Sequence, residues 1–167
     1  MKEITVDQFK ENPFTLIGDE WMLVTAHDKD QNKVNMMTAS WGSLGIFWNK
    51  PTVTVYIRQS RYTKKLLDQQ ERFSVSIMPP NLKSVHKVCS TTSGRDTDKV
   101  SATDLKVEYE NGVPYFPQAK TSLICKKIYT TKMERQGFME EEPFNKNYTN
   151  GDLHSIYIAE IEKILVE

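Results

Sequence analysis

Residues 52–58, Thr-Val-Thr-Val-Tyr-Ile-Arg, alternate without a break. Val53, Val55 and Ile57 face one way; Thr52, Thr54, Tyr56 and Arg58 face the other. A period of two belongs to an extended chain with one face buried and one face wet, so this stretch is expected to be a half-buried strand. Residues 73–77, Phe-Ser-Val-Ser-Ile, repeat the pattern, with the serines expected outward. The compact apolar run at residues 21–26 and the Met-, Val- and Thr-rich run at residues 34–41 are two further strands. Residues 122–131 and 155–166 supply the last ones.

Two short helices interrupt them. The first is expected from Ser60, as N-cap, to about Gln70, with Tyr62, Leu66 and Leu67 turned toward a core. The second follows Pro79 and Pro80, with Asn81 as cap and Leu82, Val85 and Cys89 on one face. Residues 90–99 and 136–150 read as polar loops. Strands outnumber helices and no strand–helix alternation is sustained. The expected fold is therefore mainly β, an antiparallel β-barrel with peripheral helices, and not a doubly wound sheet. No repeat, low-complexity tract or linker divides the chain, which implies a single domain over residues 1–167.

Composition narrows the function classes. Lysine and arginine number 22, as do aspartate and glutamate, for a net charge of zero. Such a balance gives no long-range pull toward nucleic acid or an anionic membrane, so any anion must be held by a local site. Cys89 and Cys125 lie far apart and form no CxxC pair, as expected of reduced, buried thiols in the cytoplasm. The N-terminus has no charged-then-apolar leader pattern. No apolar run approaches the ~20 residues of a membrane helix. His27, His86 and His154 have no acid or cysteine at ligand spacing, so no metal is expected. No Ser/His/Asp order, nucleophile elbow or carboxylate pair is legible.

Four segments carry chemistry. In Arg58-Gln-Ser-Arg-Tyr-Thr-Lys64 a strand gives way to a helix, whose free N–H groups favour an anion. Arg58 and Arg61 add bidentate donors for a phosphate, and Ser60 and Thr63 add hydroxyls. Read alone, the same segment is a surface turn with solvated arginines. In Asn35-Met-Met-Thr-Ala-Ser-Trp-Gly42, Thr38 and Ser40 point to one side of a strand and Ala39 and Trp41 to the other. Small polar groups there suit the edge of a flat heterocycle, and Gly42 permits close approach; an ordinary barrel strand with Trp41 in the core fits as well. Ser93-Gly-Arg-Asp-Thr-Asp-Lys99 suits a ligand clamp or a solvated loop, but lacks the glycine spacing of a phosphate loop or dinucleotide fingerprint. Gly151-Asp-Leu-His154 opens the last strand.

The four segments, in this order, resemble the flavin reductase-like FMN-binding split-barrel family, and most closely its flavoredoxin-like branch. The resemblance runs from about Trp21 to the C-terminus. It implies a homodimer of split barrels, each carrying FMN in a crevice near the subunit interface. By position, Thr38, Ala39, Ser40 and Trp41 would line the isoalloxazine ring. Arg58, Ser60, Arg61, Tyr62 and Thr63 would surround the phosphate, and Ser93, Gly94, Arg95, Asp98 and Lys99 would close over the cofactor. The implied activity is an FMN-dependent oxidoreductase that takes hydride from NADH or NADPH and passes electrons to a flavin, a ferric complex or a redox protein. The alternative is a flavoredoxin-type carrier with no nicotinamide turnover of its own. Family members that reduce free flavins often read Gly-Asp-His directly; here Leu153 intervenes. On a strand, one added residue reverses a side chain's face, unless a bulge absorbs it. His154 is thus a candidate whose direct role in hydride transfer the insertion puts in question.

Overall fold

The computed structural model describes all of residues 1–167. Strand accounts for 41% of the chain and helix for 25%, which makes the fold mainly β. The strands are β1 (Lys2–Ile4), β2 (Met22–Asp28), β3 (Lys33–Ala39), β4 (Gly42–Phe47), β5 (Lys50–Arg58), β6 (Arg72–Ile77), β7 (Glu108–Glu110), β8 (Val113–Tyr115), β9 (Thr121–Lys132) and β10 (His154–Val166). The helices are α1 (Pro13–Thr15), which runs into a wide turn at Leu16–Glu20, then α2 (Tyr62–Gln69), α3 (Val85–Thr91) and α4 (Glu141–Asn147).

The main sheet is antiparallel, in the order β3-β2-β6-β9-β10-β5-β4, with β1 added to the far end of β10. Its two outermost strands, β3 and β4, follow one another in the chain with only Ser40 and Trp41 between them. Three Cα steps span at most about 11 Å. Two edges that close together at one end force the sheet to roll into a barrel, and because β3 and β4 do not pair, the barrel stays split along that seam.

Inside the roll, Val24, Met37, Val53, Val55, Ile57, Phe73, Val75, Leu123 and Tyr157 form the main core, with Leu66 and Leu67 of α2 closing it. The alternation at residues 52–58 holds, since Val53, Val55 and Ile57 are fully buried. On the outer face of β2 and β3 a second core gathers Leu23, Val34 and Met36 against Val85, Cys89, Leu105 and Phe116. Burial on both faces explains why residues 22–26 read as an unbroken apolar run.

Several expectations need correction. Ser74 and Ser76 do not face solvent; both are fully buried. Ser74 Oγ donates to the Pro114 carbonyl, and Ser76 Oγ bonds Ser122 Oγ at 2.8 Å. The β7–β8 hairpin covers that face, and a distant cover leaves no mark on the local pattern. The run at residues 34–41 stops at Ala39, where the chain turns to start β4. Ser60 does not cap α2: the N-cap is Arg61. Asn81 does not cap α3 either, lying inside a single 3-10 turn, Pro80–Leu82. The expected loop at residues 136–150 holds α4, a helix with no buried residue and so no apolar stripe to betray it.

Gly42 earns its place by contact. A Cβ there would come within 2.6 Å of the Thr54 carbonyl oxygen and 2.7 Å of Met22 Cε, so only glycine lets β4 lie this close.

Candidate functional site

The seam of the barrel opens into two adjoining cavities, of about 330 Å³ and about 190 Å³, which share Met37, Arg58 and Arg61. The larger is lined by Ser60, Tyr62 and Thr63 from the start of α2, and by Thr91, Thr92, Ser93, Gly94, Arg95 and Lys99 from the end of α3 and its following loop. The smaller is lined by Thr38, Ala39, Ser40, Trp41, Tyr56 and His154. Of the expected flavin-site residues and His154, Asp98 alone lines neither. Its carboxylate accepts from the backbone N–H groups of Val100 and Ser101 and from the Ser101 hydroxyl, capping the next turn of chain. The one acid among the expected ligands is thus engaged within its own stretch of chain.

Four cations line the larger cavity: Arg58, Arg61, Arg95 and Lys99. No carboxylate lines it, and none of the four forms an ion pair. In a chain of zero net charge this is a marked local excess. Lys99 is the sharpest case, being only 4% exposed. Its Nζ donates to the carbonyls of Met36 and Cys89, at 2.9 and 3.2 Å. Burial lowers its pKa, while burial pushes the adjacent Cys89 thiol up to about 11, so the thiol offers no counter-charge. A buried cation without an anion is costly, and an anion entering the cavity relieves that cost.

The other cations are braced by neutral groups. Arg58 Nη1 donates to the carbonyls of Asn147 and Asp152, and its guanidinium lies 5.2 Å from the Tyr148 ring centroid. Arg61 Nη1 donates to the Ser90 carbonyl, and Arg95 lies over the Tyr62 ring. Tyr62 is itself fixed, its hydroxyl donating to the buried Asp28 carboxylate. Asn35 Nδ2 donates to Thr63 Oγ1 at 2.8 Å, tying β3 to α2 beneath the cavity. The Ser60 hydroxyl is already committed, donating to Asp152 Oδ2 at 2.6 Å, so it has no proton left for a phosphate.

Around the smaller cavity the chain turns at Ser40–Trp41, which is how four successive residues reach one site where a continuous strand would alternate. Trp41 is not in the core: it is 44% exposed, and its ring packs 5.4 Å from the His154 ring. His154 lines this cavity too. Leu153 sits in a tight turn before β10, with Gly151 at φ 74° and the Leu153 N–H donating to the Gly151 carbonyl. The turn takes up the extra residue before any strand begins. His154 Nδ1 bonds the Tyr148 hydroxyl at 2.8 Å, and burial lowers its pKa to about 4, with Arg58 adding to the shift. The imidazole is therefore neutral at physiological pH.

Sequence reasoning missed Met37, Tyr56, Thr91, Thr92 and Tyr148. Tyr56 was within reach, since it shares the outward face of β5 with Arg58. Tyr148 was not, because nothing local ties it to a residue 90 positions earlier.

No helix is long and apolar enough to cross a membrane. The fold is similar to that of flavoredoxin from Methanosarcina acetivorans, with a TM-score of 0.70 at 21% identity over 89% of this chain and 68% of that one. It is similar to an FMN-binding protein from Thermus thermophilus, with a TM-score of 0.70 at 20% identity over 100% of this chain and 82% of that one. It is also similar to the styrene monooxygenase flavin reductase of Pseudomonas putida S12, with a TM-score of 0.64 at 19% identity over 88% and 80% of the two chains. In sequence, the uncharacterized protein YddH of Escherichia coli (strain K12) is 26% identical over 86 residues, 52% of this chain and 45% of that protein. That alignment takes in less than half of the relative's length. The flavin reductase like domain matches residues 16–167. With nearly the whole chain matched and the split barrel in place, the protein belongs to the flavin reductase-like domain family.

Proposed function

We propose that the protein binds FMN along the seam and acts as an FMN-dependent NAD(P)H oxidoreductase, passing electrons on to a flavin, a ferric complex or a redox protein. The observation that carries this reading is the cluster of four unpaired cations, one of them buried, in a neutral chain. A phosphomonoester is the anion such a cluster fits, because several N–H donors meet several acceptor oxygens at once. Arg58, Arg61, Arg95 and Lys99 would hold the phosphate. Thr38, Ala39, Ser40 and Trp41 would hold the ring, the first three offering polar backbone and small side chains and Trp41 an aromatic face.

FMN, when bound, supplies the hydride and single-electron chemistry; the protein supplies binding, orientation and exclusion of water. Such chemistry needs no nucleophile and no acid–base pair from the protein. The neutral His154 lines the smaller cavity as a hydrogen-bonding group, not as a charge. The two cysteines are free and buried, which suits the reducing cytoplasm where this chemistry would run.

The test is binding itself. FMN should bind and turn the protein yellow, and riboflavin, which lacks the phosphate, should bind at least ten-fold more weakly. Equal affinities would overturn the phosphate site. A carrier without nicotinamide turnover is a second reading, favoured by the exposed Trp41 at the cavity mouth, which suits contact with a partner protein. Steady oxidation of NADH or NADPH by the purified protein decides between them. We further propose a homodimer: β4 is an edge strand, and Ile46 and Trp48 beside it are 71% and 61% exposed. Sedimentation showing only monomer at micromolar concentration would overturn that.

A further inference from the structure

His86 is the one histidine whose ring is wholly enclosed, at 1% exposure, yet it lines neither cavity. It sits in the first turn of α3, with its ring edge-on to Trp21 at 5.6 Å between centroids and with Lys83 Nζ over that indole, 5.0 Å from its centroid. Its Nδ1 lies 3.0 Å from Thr38 Oγ1, and its own backbone carbonyl lies 3.3 Å from the same oxygen. Its Nε2 is buried with no partner. Thr38 lines the smaller cavity. One residue of α3 thus grips the one threonine of the ring site from behind, at two points.

The proton arithmetic follows from the valences. Burial, reinforced by Lys83, holds the imidazole pKa down at about 4, so the ring carries a single N–H at neutral pH. A buried acceptor without a partner costs less than a buried N–H without one. The favoured tautomer therefore carries its proton on Nδ1 and donates it to Thr38 Oγ1, and the threonine hydroxyl donates to the His86 carbonyl. In the other tautomer the hydroxyl donates to Nδ1. In both, the threonine proton ends on α3, and Thr38 Oγ1 keeps a free lone pair.

We propose that His86 is a positioning residue that commits the Thr38 hydroxyl proton to α3, so that Thr38 meets the ligand as a hydrogen-bond acceptor and selects a heterocycle with a ring N–H. This rests on the FMN reading. Oxidised FMN has a single ring N–H, the N3 imide; its other polar edge atoms are acceptors. Thr38 accordingly accepts from N3–H, and a ring offering only acceptors at that edge is disfavoured.

The test is equilibrium binding, read by flavin fluorescence, of FMN and of N3-methyl-FMN, which keeps the phosphate and loses the donor. Valine is isosteric with threonine, so any bump against the methyl group is common to the wild type and Thr38→Val, and only the hydrogen bond differs. The preference for FMN over its methyl analogue should fall roughly five- to ten-fold in Thr38→Val, the worth of one ordinary hydrogen bond. Thr38→Ser should retain it. His86→Leu removes the ring's hold on the hydroxyl but keeps the carbonyl of residue 86, so the preference should fall by less than in Thr38→Val, with FMN still bound, and His86→Asn, whose amide can stand where Nδ1 stands, should restore it. An equal preference in the wild type and Thr38→Val overturns the proposal whatever the fate of the His86 variants. Loss in Thr38→Val with none in His86→Leu overturns the part given to His86. Binding of neither flavin by the wild type overturns the FMN reading itself, a result distinct from the others.

Discussion

The Asp152 carboxylate accepts from both the backbone N–H and the hydroxyl of Ser60, at 3.0 and 2.6 Å, and so occupies with one side chain the place at the start of α2 where an incoming anion would bond. It also anchors the residue 147–152 segment, whose carbonyls brace Arg58. Asp152→Asn separates these roles. The amide oxygen can still accept from the Ser60 N–H, while the negative charge is gone and the Ser60 hydroxyl is free to donate. FMN affinity should rise several-fold in a fluorescence titration. Weaker binding would mean that the carboxylate serves the site by holding the turn more than it opposes the phosphate.

Arg58 and Arg61 should part company on mutation. Arg61 has one long bond to the Ser90 carbonyl, whereas Arg58 carries two carbonyl bonds and the Tyr148 ring. Arg61→Ala should cost about 1.5–3 kcal/mol of FMN binding, the range for a hydrogen bond to a charged group, with the melting temperature unchanged. Arg58→Ala should lower both affinity and melting temperature, because the 147–152 segment loses its anchor. Riboflavin affinity unchanged by Arg61→Ala would confirm that the loss is a phosphate effect; a matching loss for riboflavin would count against it.

Gly94→Ala should damage the site through sterics, since the glycine's backbone is not in the left-handed region. A Cβ there would fall 1.8 Å from Asn35 Oδ1 and 3.2 Å from Tyr62 Cδ1. Asn35 is 2% exposed and bonded to Thr63, so it has nowhere to retreat. The 91–99 loop must lift instead, carrying Arg95 with it. FMN binding weaker by at least ten-fold, alongside a lower melting temperature, is the expected outcome. Wild-type affinity in Gly94→Ala would show that the loop contributes little.

Much of this was legible from local pattern, and the failures share a physical cause. The alternation at residues 52–58 is written in the strand itself, because one face meets the core and the other meets water. The serines of β6 misled because their cover comes from Pro114 and Ser122, some 40 and 46 positions away. β4 was missed because Gly42 and Gly45 weaken any strand signal, and α4 because a helix that buries nothing has no stripe. At the site, the residues of Thr38–Trp41 and Arg58–Thr63 stood out as short polar motifs. The Asp152–Ser60 pairing and the Thr38–His86 contact did not, since each joins segments that only the rolled sheet brings together.

Acid should destabilise the fold through two histidines before it reaches the carboxylates. His86 and His154 both have pKa values lowered to about 4, chiefly by burial. The ordinary value is about 6.5, so between those limits the unfolded chain binds protons that the folded chain refuses. Their contribution to stability is therefore complete above pH 6.5 and declines as the pH falls toward 4, by on the order of 3 kcal/mol each over the whole range. The paired carboxylates, such as Asp28 and Glu162, have lowered values and act only below their ordinary range. Urea midpoints at pH 7 and pH 5 isolate the histidines. A clear drop is expected, much reduced in His86→Leu; a flat profile would show that neither ring is held neutral.

His154 should act on hydride transfer by position and not by charge. Its ring lines the smaller cavity, with Trp41 on one side and the Tyr148 hydroxyl on Nδ1. An imidazole with a pKa near 4 cannot act as an acid at neutral pH, so its part in a hydride transfer is to orient a ligand. Transfer of a hydride depends on holding the reacting atoms about 3–3.5 Å apart, and one neutral hydrogen bond contributes only a modest share of that. In stopped-flow reduction of the bound flavin by NADH or NADPH, the rate should be flat from pH 6 to 8. His154→Ala should retain FMN and slow the transfer by roughly ten-fold, the worth of about 1.4 kcal/mol. A rate that changes tenfold per pH unit around 6.5, or a loss of several orders of magnitude in His154→Ala with FMN still bound, would mean that the imidazole titrates in the site and takes part as an acid.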